Sequence, residues 1–386
     1  MHTKSFNFNS FKQSGERFLS KLTMDLVENG VLAESLKIDH LCFRVATLKE
    51  YDFFKTCLCK HGELLAEAFI NGRPISTFRL SSSFQTKSHE VPLLELPAPK
   101  DGFFHKTGFE HAEFVIKESF SAFSSKYPDL NFAQGGNSTL NPELSLKLQG
   151  GLHAKFHQIP LDRVIEIEEA KIKDVIFDLD GTLIKSRENI HEINRIVFSK
   201  ALGREISKRE SIENFYPEFS KLFKAYDISC TLAQSEVIAS WGMVASQFSH
   251  ELFDGALETL HSLSELGFNL HLWTARDEAS ARKTLKEHGV EDLFKTLSFA
   301  TGTNSKPHPS SLRFDWQTAE KNRIIVVGDS STDMHGARSI GAIRGAALWD
   351  TYACSNSLIK SGAEIFFYEI SGFKEWLTKT TRKAGE

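Results

Sequence analysis

Two carboxylates one residue apart, Asp178 and Asp180, follow the apolar run Val175-Ile176-Phe177 and precede Gly181-Thr182. A second acidic pair, Asp329 and Asp333, follows the apolar run 324–327 and Gly328. Between these pairs in the chain, Thr274 closes the run 269–273, and Lys306 stands directly before Pro307. A cluster of carboxylates suits a hard divalent cation with oxygen ligands, Mg²⁺ above all. A carboxylate beside such a cation serves as nucleophile or as proton carrier. A hydroxyl and a lysine nearby neutralise and orient an anionic substrate. Gly181 permits a sharp turn and a close backbone approach to a ligand.

The apolar runs before these residues read as buried strands of a parallel sheet, and open α/β sheets bind ligands at the C-terminal ends of their strands. Residues 185 to about 250 read as mostly helical, with Ile190, Ile193, Val197, Leu222, Phe223, Ile238, Met243 and Phe248 as apolar positions. Gly203, Pro217 and residues 227–229 punctuate them. This makes a helical insertion straight after the first strand. Lys185 and Arg187 stand at its hinge. Helices end at Gly267 and Gly289, strands follow at 343–349 and 365–368, and a helix at 372–378 closes the chain.

The first part of the chain has a different rhythm. After one or two helices in residues 1–37, a strand at 38–45, a helix at 48–60 and strands at 64–70, 75–80 and 91–97 form a βαβββ order. Asn71-Gly72 is a hairpin-turn signal. The order repeats: a strand at 109–116, a helix at 119–127, and strands near 131–133, 144–148 and 153–160. The repeat carries a chemical echo. Asp39-His40 opens the first unit and Glu110-His111 the second, while Glu95 and His157 stand in the closing strands. Converging His40, Glu95, His111 and His157 on one cavity would suit a divalent transition metal such as zinc, iron, manganese or nickel. Glu113 and His153 are spare candidates; Arg44 and Arg73 read as surface ion pairs or anion contacts.

At 386 residues the chain predicts two domains. The charge run 161–172, without Gly or Pro, predicts a short helix and a boundary near 168–172, giving domains 1–168 and 172–386. A net charge of −4 argues against a broad nucleic-acid footprint. No apolar run approaches the ~20 residues that span a bilayer, and the first residues lack the apolar core of a secretory signal. Five cysteines without a CxxC pair read as reduced thiols of a cytoplasmic protein. The 32 phenylalanines read as core. Both βαβββ units lie in one chain, so no dimer is needed to complete a cup; the oligomeric state is not legible.

Residues 175–183, ending Asp178-Leu179-Asp180-Gly181-Thr182-Leu183, resemble the first motif of the haloacid dehalogenase (HAD) superfamily, DxDGT. Thr274, Lys306-Pro307 and Gly328-Asp329…Asp333 resemble its second, third and fourth motifs. The resemblance spans about 172–380. It implies a Rossmann-like α/β fold with a C1-type helical cap at about 185–250, and a Mg²⁺-dependent phosphatase acting on a small phosphorylated metabolite. Mg²⁺ would be held by Asp178, Asp329, the carbonyl of Asp180 and Asp333. Asp178 would form an aspartyl-phosphate, its pKa kept low by Mg²⁺ and Lys306. Asp180 would protonate the leaving oxygen and then activate water, a role requiring a proton and so a different environment. Thr274 and Lys306 would hold the phosphoryl oxygens, with Ser330 as an extra contact or helix cap. Over residues 15–165, Ile38-Asp39-His40, Asn71-Gly72-Arg73-Pro74-Ile75, Leu94-Glu95-Leu96-Pro97, Phe109-Glu110-His111 and Lys155-Phe156-His157 resemble the YecM-like branch of the vicinal oxygen chelate superfamily. That resemblance implies an α+β domain of paired βαβββ modules with a metal in the cup, acting as an accessory domain, as a second isomerase, lyase or oxygenase, or as a ligand sensor.

Overall fold

The computed structural model describes residues 6–100, 102–135, 140–214, 216, 219–301 and 304–383. The first residues of the chain, Pro217 of the helical insertion, and Gly302 and Thr303 of the lysine loop lie outside them. The chain divides into two units, Met1–Glu169 and Ala170–Glu386.

The first unit begins with α1 (Phe8–Glu28), started by the Asn7 side chain accepting from the Ser10 amide at 2.9 Å. Phe11, Leu19, Leu22 and Leu26 form its buried stripe. Then come β1 (Lys37–Arg44), α2 (Leu48–Leu58), β2 (Gly62–Ile70), β3 (Arg73–Gln85) and β4 (Glu90–Pro97). The order recurs as β5 (Gly108–Val115), α3 (Phe120–Ser124), β6 (Phe132–Gly135), β7 (Glu143–Lys147) and β8 (His153–His157), closed by α4 (Leu161–Glu168). The β2–β3 turn is left-handed at both Asn71 (φ 50°) and Gly72 (φ 80°), the conformation that suits a two-residue hairpin.

These strands make one eight-stranded sheet in the order β2-β3-β4-β1-β5-β8-β7-β6. β1 runs parallel to β4 and β5 parallel to β8, while β1 and β5 join the two repeats antiparallel. Strand periodicity of two then sorts the side chains. Leu41, Phe43, Leu94, Leu96, Ala112, Phe114, Ala154 and Phe156 enter an apolar core with α1 and the aromatic rings of Phe11, Phe84 and Phe123. Their alternating neighbours His40, Cys42, Glu95, His111, Glu113, Lys155 and His157 therefore line the opposite face. The abundant phenylalanines are explained here: Phe11, Phe43, Phe54, Phe84 and Phe109 meet edge-on or tilted with centroids 4.8–6.3 Å apart.

The second unit holds β9 (Asp174–Phe177), then helices α5 (Arg187–Leu202), α6 (Lys208–Glu213), α7 (Phe219–Ala225) and α8 (Thr231–Ala245). Next are α9 (Ala256–Glu265), β10 (Asn269–Trp273), α10 (Glu278–Glu287), β11 (Phe294–Ser298), β12 (Ile324–Gly328) and α11 (Ser331–Ile340). The chain ends with β13 (Ile343–Ala347), α12 (Ser355–Lys360), β14 (Ile365–Phe367) and α13 (Ile370–Lys383). The parallel sheet has the order β11-β10-β9-β12-β13-β14. After β9 the chain builds outward on one side, then returns to build on the other, so the switch point falls at β9, where such sheets bind ligands. Helices α5–α8 form a separate small core of Ile193, Val197, Phe198, Leu222, Phe223, Tyr226 and Val237. The two connections to this cap pair with each other, Lys185 N–H to Glu251 C=O at 2.8 Å and Phe253 N–H to Leu183 C=O at 2.9 Å. The cap hinge is thus a short two-stranded tie.

Candidate functional sites

In the second unit, Asp178 follows β9, Thr274 follows β10 and Asp329 follows β12, at the carboxyl ends of three adjacent strands. Lys306 comes from the loop after β11, and its ammonium donates to Asp178 Oδ1 and to Asp333 Oδ1, each at 2.5 Å. Asp178, Asp329 and Asp333 are buried, and each offers a carboxylate oxygen within 4.8 Å of the others. Asp333 is held further by Ser330, whose hydroxyl donates to its Oδ2 at 2.6 Å and whose amide donates at 3.0 Å. This is a capping box at the start of α11, so Ser330 serves as a cap. The motif glycines have a spatial reason. A Cβ on Gly328 would overlap the Asp333 carboxyl group, and one on Gly181, which is left-handed at φ +77°, would overlap Asp329. Both acids pass directly over a residue that must lack a side chain.

The protein's own charges separate the two motif aspartates. Burial and the like charges of Asp333, Asp329 and Asp180 outweigh Lys306 and push Asp178 well above the ordinary carboxylate range. Burial likewise pushes Asp329 up to about 6, against the lowering effect of Arg187. Asp180 moves the other way: burial raises it, but the Arg276 guanidinium paired with both its oxygens lowers it overall. The expected low pKa of Asp178 depends on Mg²⁺ as well as Lys306; the protein's own charges by themselves leave it above Asp180. The missing positive charge is what a divalent cation supplies, and three converging buried carboxylate oxygens fit one.

In the first unit, strand register places the polar residues on two adjacent rungs. One rung runs Thr77, Glu95, Cys42, His111, His153; the next runs Arg79, Leu93, His40, Glu113, Lys155. His40, Glu95 and His111 offer donor atoms within 4.8 Å of one another. His157 does not join this trio: it groups with Asp39 and His40, its Nε2 3.6 Å from Asp39 Oδ2. The residue that repeats the position of Glu95, two beyond the partner of the histidine, is Lys155. Each histidine of the pair is oriented by the carboxylate before it, His40 Nδ1 by Asp39 Oδ2 and His111 Nδ1 by Glu110 Oε2, both at 3.0 Å. That leaves both Nε2 atoms facing Glu113 Oε1, at 3.5 Å from His40 and 3.2 Å from His111. The Nε2 atoms of His40 and His157 are buried without a hydrogen-bond partner. Although burial opposes it, Glu113 and Asp39 together hold His40 well above the usual imidazole range; a metal ion bound there would take that proton's place.

Residues 175–347 match the haloacid dehalogenase-like hydrolase family and residues 7–136 match the YecM protein family. The second unit is a haloacid dehalogenase-like hydrolase, fused to a YecM-like first unit. The chain is similar to pyrophosphatase PpaX of Halalkalibacterium halodurans, 29% identical over 177 residues, which cover 44% of this chain and 81% of that protein. It is similar to the phosphoglycolate phosphatase of Rhodospirillum rubrum, 27% identical over 222 residues, covering 53% and 90%. Among solved structures, a haloacid dehalogenase-like family hydrolase from Streptococcus pneumoniae is 20% identical, covering 53% of this chain and 98% of that one at a TM-score of 0.47.

Within the HAD unit, two arginines hold site carboxylates, partners that their places in the sequence, beside Thr274 and at the cap hinge, did not reveal. Arg276 lies two residues beyond Thr274, whose hydroxyl accepts the Arg276 amide at 3.1 Å, and its side chain holds Asp180. Arg187, the first residue of the cap helix α5, reaches Asp329 Oδ2 with Nη2 at 2.5 Å and Nε at 3.1 Å. Lys185, its companion at the hinge, instead pairs with exposed Asp254 at 2.8 Å. In the YecM-like unit, the spare candidate Glu113 proves central and Asp39 and Glu110 have orienting roles. Pattern alone signalled only that each acid precedes a histidine. No helix among the described residues is long and apolar enough to cross a membrane.

Proposed function

We propose that this chain is a cytoplasmic, Mg²⁺-dependent phosphatase that hydrolyses a small phosphorylated metabolite through an aspartyl-phosphate on Asp178. The observation that carries the reading is the buried Asp178 carboxylate, bound by Lys306 at 2.5 Å and ringed by Asp329, Asp333 and Asp180. Relatives named as a pyrophosphatase and as a phosphoglycolate phosphatase support a small phosphorylated substrate. Asp178, Asp329 and Asp333 would hold Mg²⁺, which supplies charge neutralisation for an anionic nucleophile meeting an anionic ester. Asp178 attacks phosphorus; Lys306 and the Thr274 hydroxyl stabilise the phosphoryl oxygens. Asp180 carries a proton to the leaving oxygen and then accepts one from water. For that cycle Arg276 must loosen its hold on Asp180, and the cap, tied through residues 183–185 and 251–253, screens the site from bulk water.

The YecM-like unit supports a second divalent transition metal in its cup. Two imidazoles oriented by neighbouring carboxylates are a common arrangement for ligating histidines, and His40 Nε2 is a buried nitrogen with its hydrogen bond unmade, facing Glu113 Oε1 at 3.5 Å. Its role is that of an accessory or second catalytic domain. The test of the first reading is phosphate release across a metabolite panel, with and without Mg²⁺, for wild type and Asp178→Asn. Release that requires Mg²⁺ and vanishes in the folded variant is expected; release that survives Asp178→Asn would sink the aspartyl-phosphate mechanism.

A further inference from the structure

We propose that the Cys42 thiolate is a ligand of the cup in the first unit, which therefore takes a thiophilic divalent ion such as Zn²⁺ rather than the hard ion suited to Asp178, Asp329 and Asp333. This rests on the reading that the cup holds a metal ion, and adds to it the donor that selects which one.

Cys42 is completely buried, yet it is not one of the side chains of the apolar cluster packed against α1. It sits on the polar face of a central strand, directly across from Glu95 on one side and His111 on the other. A buried cysteine among apolar side chains is an inert filler; this one has a carboxylate and an imidazole for cross-strand neighbours. Cys42, Glu110 and His111 offer donor atoms within 4.8 Å, and His111 is shared with the His40, Glu95 and His111 group.

The internal repeat makes the placement specific. In β1 a donor follows the histidine by two residues, His40 then Cys42; in β5 the same spacing gives His111 then Glu113. Antiparallel pairing crosses them, so His40 faces Glu113 and Cys42 faces His111. Two imidazoles, a thiol and a carboxylate thus occupy two facing pairs of positions at the middle of the two central strands. Lys155 occupies the place that Glu95 has in the first repeat. Its ammonium is engaged by Glu143 at 2.8 Å and Glu113 at 3.2 Å, and it has no lone pair to offer. The second repeat therefore supplies no counterpart to Glu95, and the thiol of Cys42 fills out the donor set. The independent sign that a ligand is meant to enter is His40 Nε2, fully buried with its hydrogen bond unmade although Glu113 Oε1 faces it at 3.5 Å, and with its other nitrogen already committed to Asp39. Nitrogen and sulfur donors in a four-coordinate set favour Zn²⁺ and related thiophilic ions over Mg²⁺.

The experiment uses the full chain loaded with Co²⁺ as a spectroscopic stand-in for Zn²⁺, with excess Mg²⁺ present to occupy the oxygen-ligand site. The expected result is a near-ultraviolet thiolate-to-cobalt charge-transfer band. Cys42→Ser abolishes it while visible cobalt bands remain, and Zn²⁺ affinity falls by at least about tenfold, as outer-shell changes alone cost ~10–100-fold. A second variant, with Cys57, Cys59, Cys230 and Cys354 all changed to Ser, keeps the band, and it tests the proposal even where Cys42→Ser does not fold. Cobalt bound with visible bands but no charge transfer in either the wild type or this variant overturns the thiol assignment alone. No cobalt retained against Mg²⁺ overturns the metal reading beneath it.

Discussion

Replacing Arg187 with Gln should tighten Mg²⁺ binding. The Arg187 side chain is 13% exposed and its fork closes on Asp329 Oδ2, whose side chain is 1% exposed. A cation entering between Asp178, Asp329 and Asp333 must compete with that guanidinium. A hydrogen bond to a charged group contributes about 1.5–3 kcal/mol, so removing the competitor should strengthen Mg²⁺ affinity on the order of 10- to 100-fold. The same change leaves three buried acids facing Lys306 with one cation fewer. Breaking a buried pair costs about 3–5 kcal/mol, so without Mg²⁺ the variant should melt roughly 6–20 °C below wild type for a domain of this size. Saturating Mg²⁺ should restore much of that loss. The assays are calorimetric Mg²⁺ titration at constant ionic strength and thermal melts with and without the ion. Unchanged or weaker Mg²⁺ affinity, together with an unaltered melting temperature in chelator, would refute the reasoning. It would mean that Arg187 and the ion share Asp329 without competing.

Gly328→Ala forces a Cβ onto Asp333; phosphate release should fall by more than about 100-fold, and overpacking should cost about 1–3 kcal/mol in chemical unfolding, whereas near-normal turnover would show that Asp333 is dispensable. Asp174 accepts from Asn269 at 2.7 Å and His271 at 3.3 Å; burial raises its carboxyl, but these donors leave it below the ordinary value. A depressed folded-state pKa contributes stability that is fully present above about pH 4 and is lost as pH falls through the lower folded value. Asp174→Asn should therefore cost about 1–2 kcal/mol at pH 7, with a wild-type advantage that shrinks below pH ~4; urea melts across pH check it, and an advantage that grows in acid is the contrary result. His40→Ala should leave phosphate release from a generic ester within about twofold, since it removes a single imidazole from the other unit; complete loss in a folded variant would contradict this division of labour.

Much of the candidate HAD site was legible because Asp178, Thr274 and Asp329 are each local to a strand end, while Lys306 lies in a loop and Asp333 in the first turn of α11. An apolar run followed by Asp178, Thr274 or Asp329 carries both the strand and its ligand-binding end in one stretch of sequence. The βαβββ repeat was legible for a similar reason, since alternation and turn chemistry are short-range. The cup was less so. His157 was placed with His40, Glu95 and His111 by its position in the closing strand. Pairing of β5 with β8 instead puts Lys155 on the rung with Glu113 and sends His157 beyond it. In a sheet, a two-residue displacement keeps a side chain on the same face and moves it one full rung away.

The residue types and their order along the chain already determined two units, a set of carboxylates that converge after β9 and β12, and a histidine-bearing repeat. Only the tertiary structure decided which charges compensate those groups. Arg187 meets Asp329 across 142 residues, Lys306 meets Asp178 across 128, and Arg276 meets Asp180 across 96. Such pairings make Asp180 more acidic than Asp178 and place Cys42 between Glu95 and His111. The reason is physical: a strand's ending is written in consecutive side chains, whereas the field at a buried carboxylate is a sum over groups that only folding brings within a few ångströms.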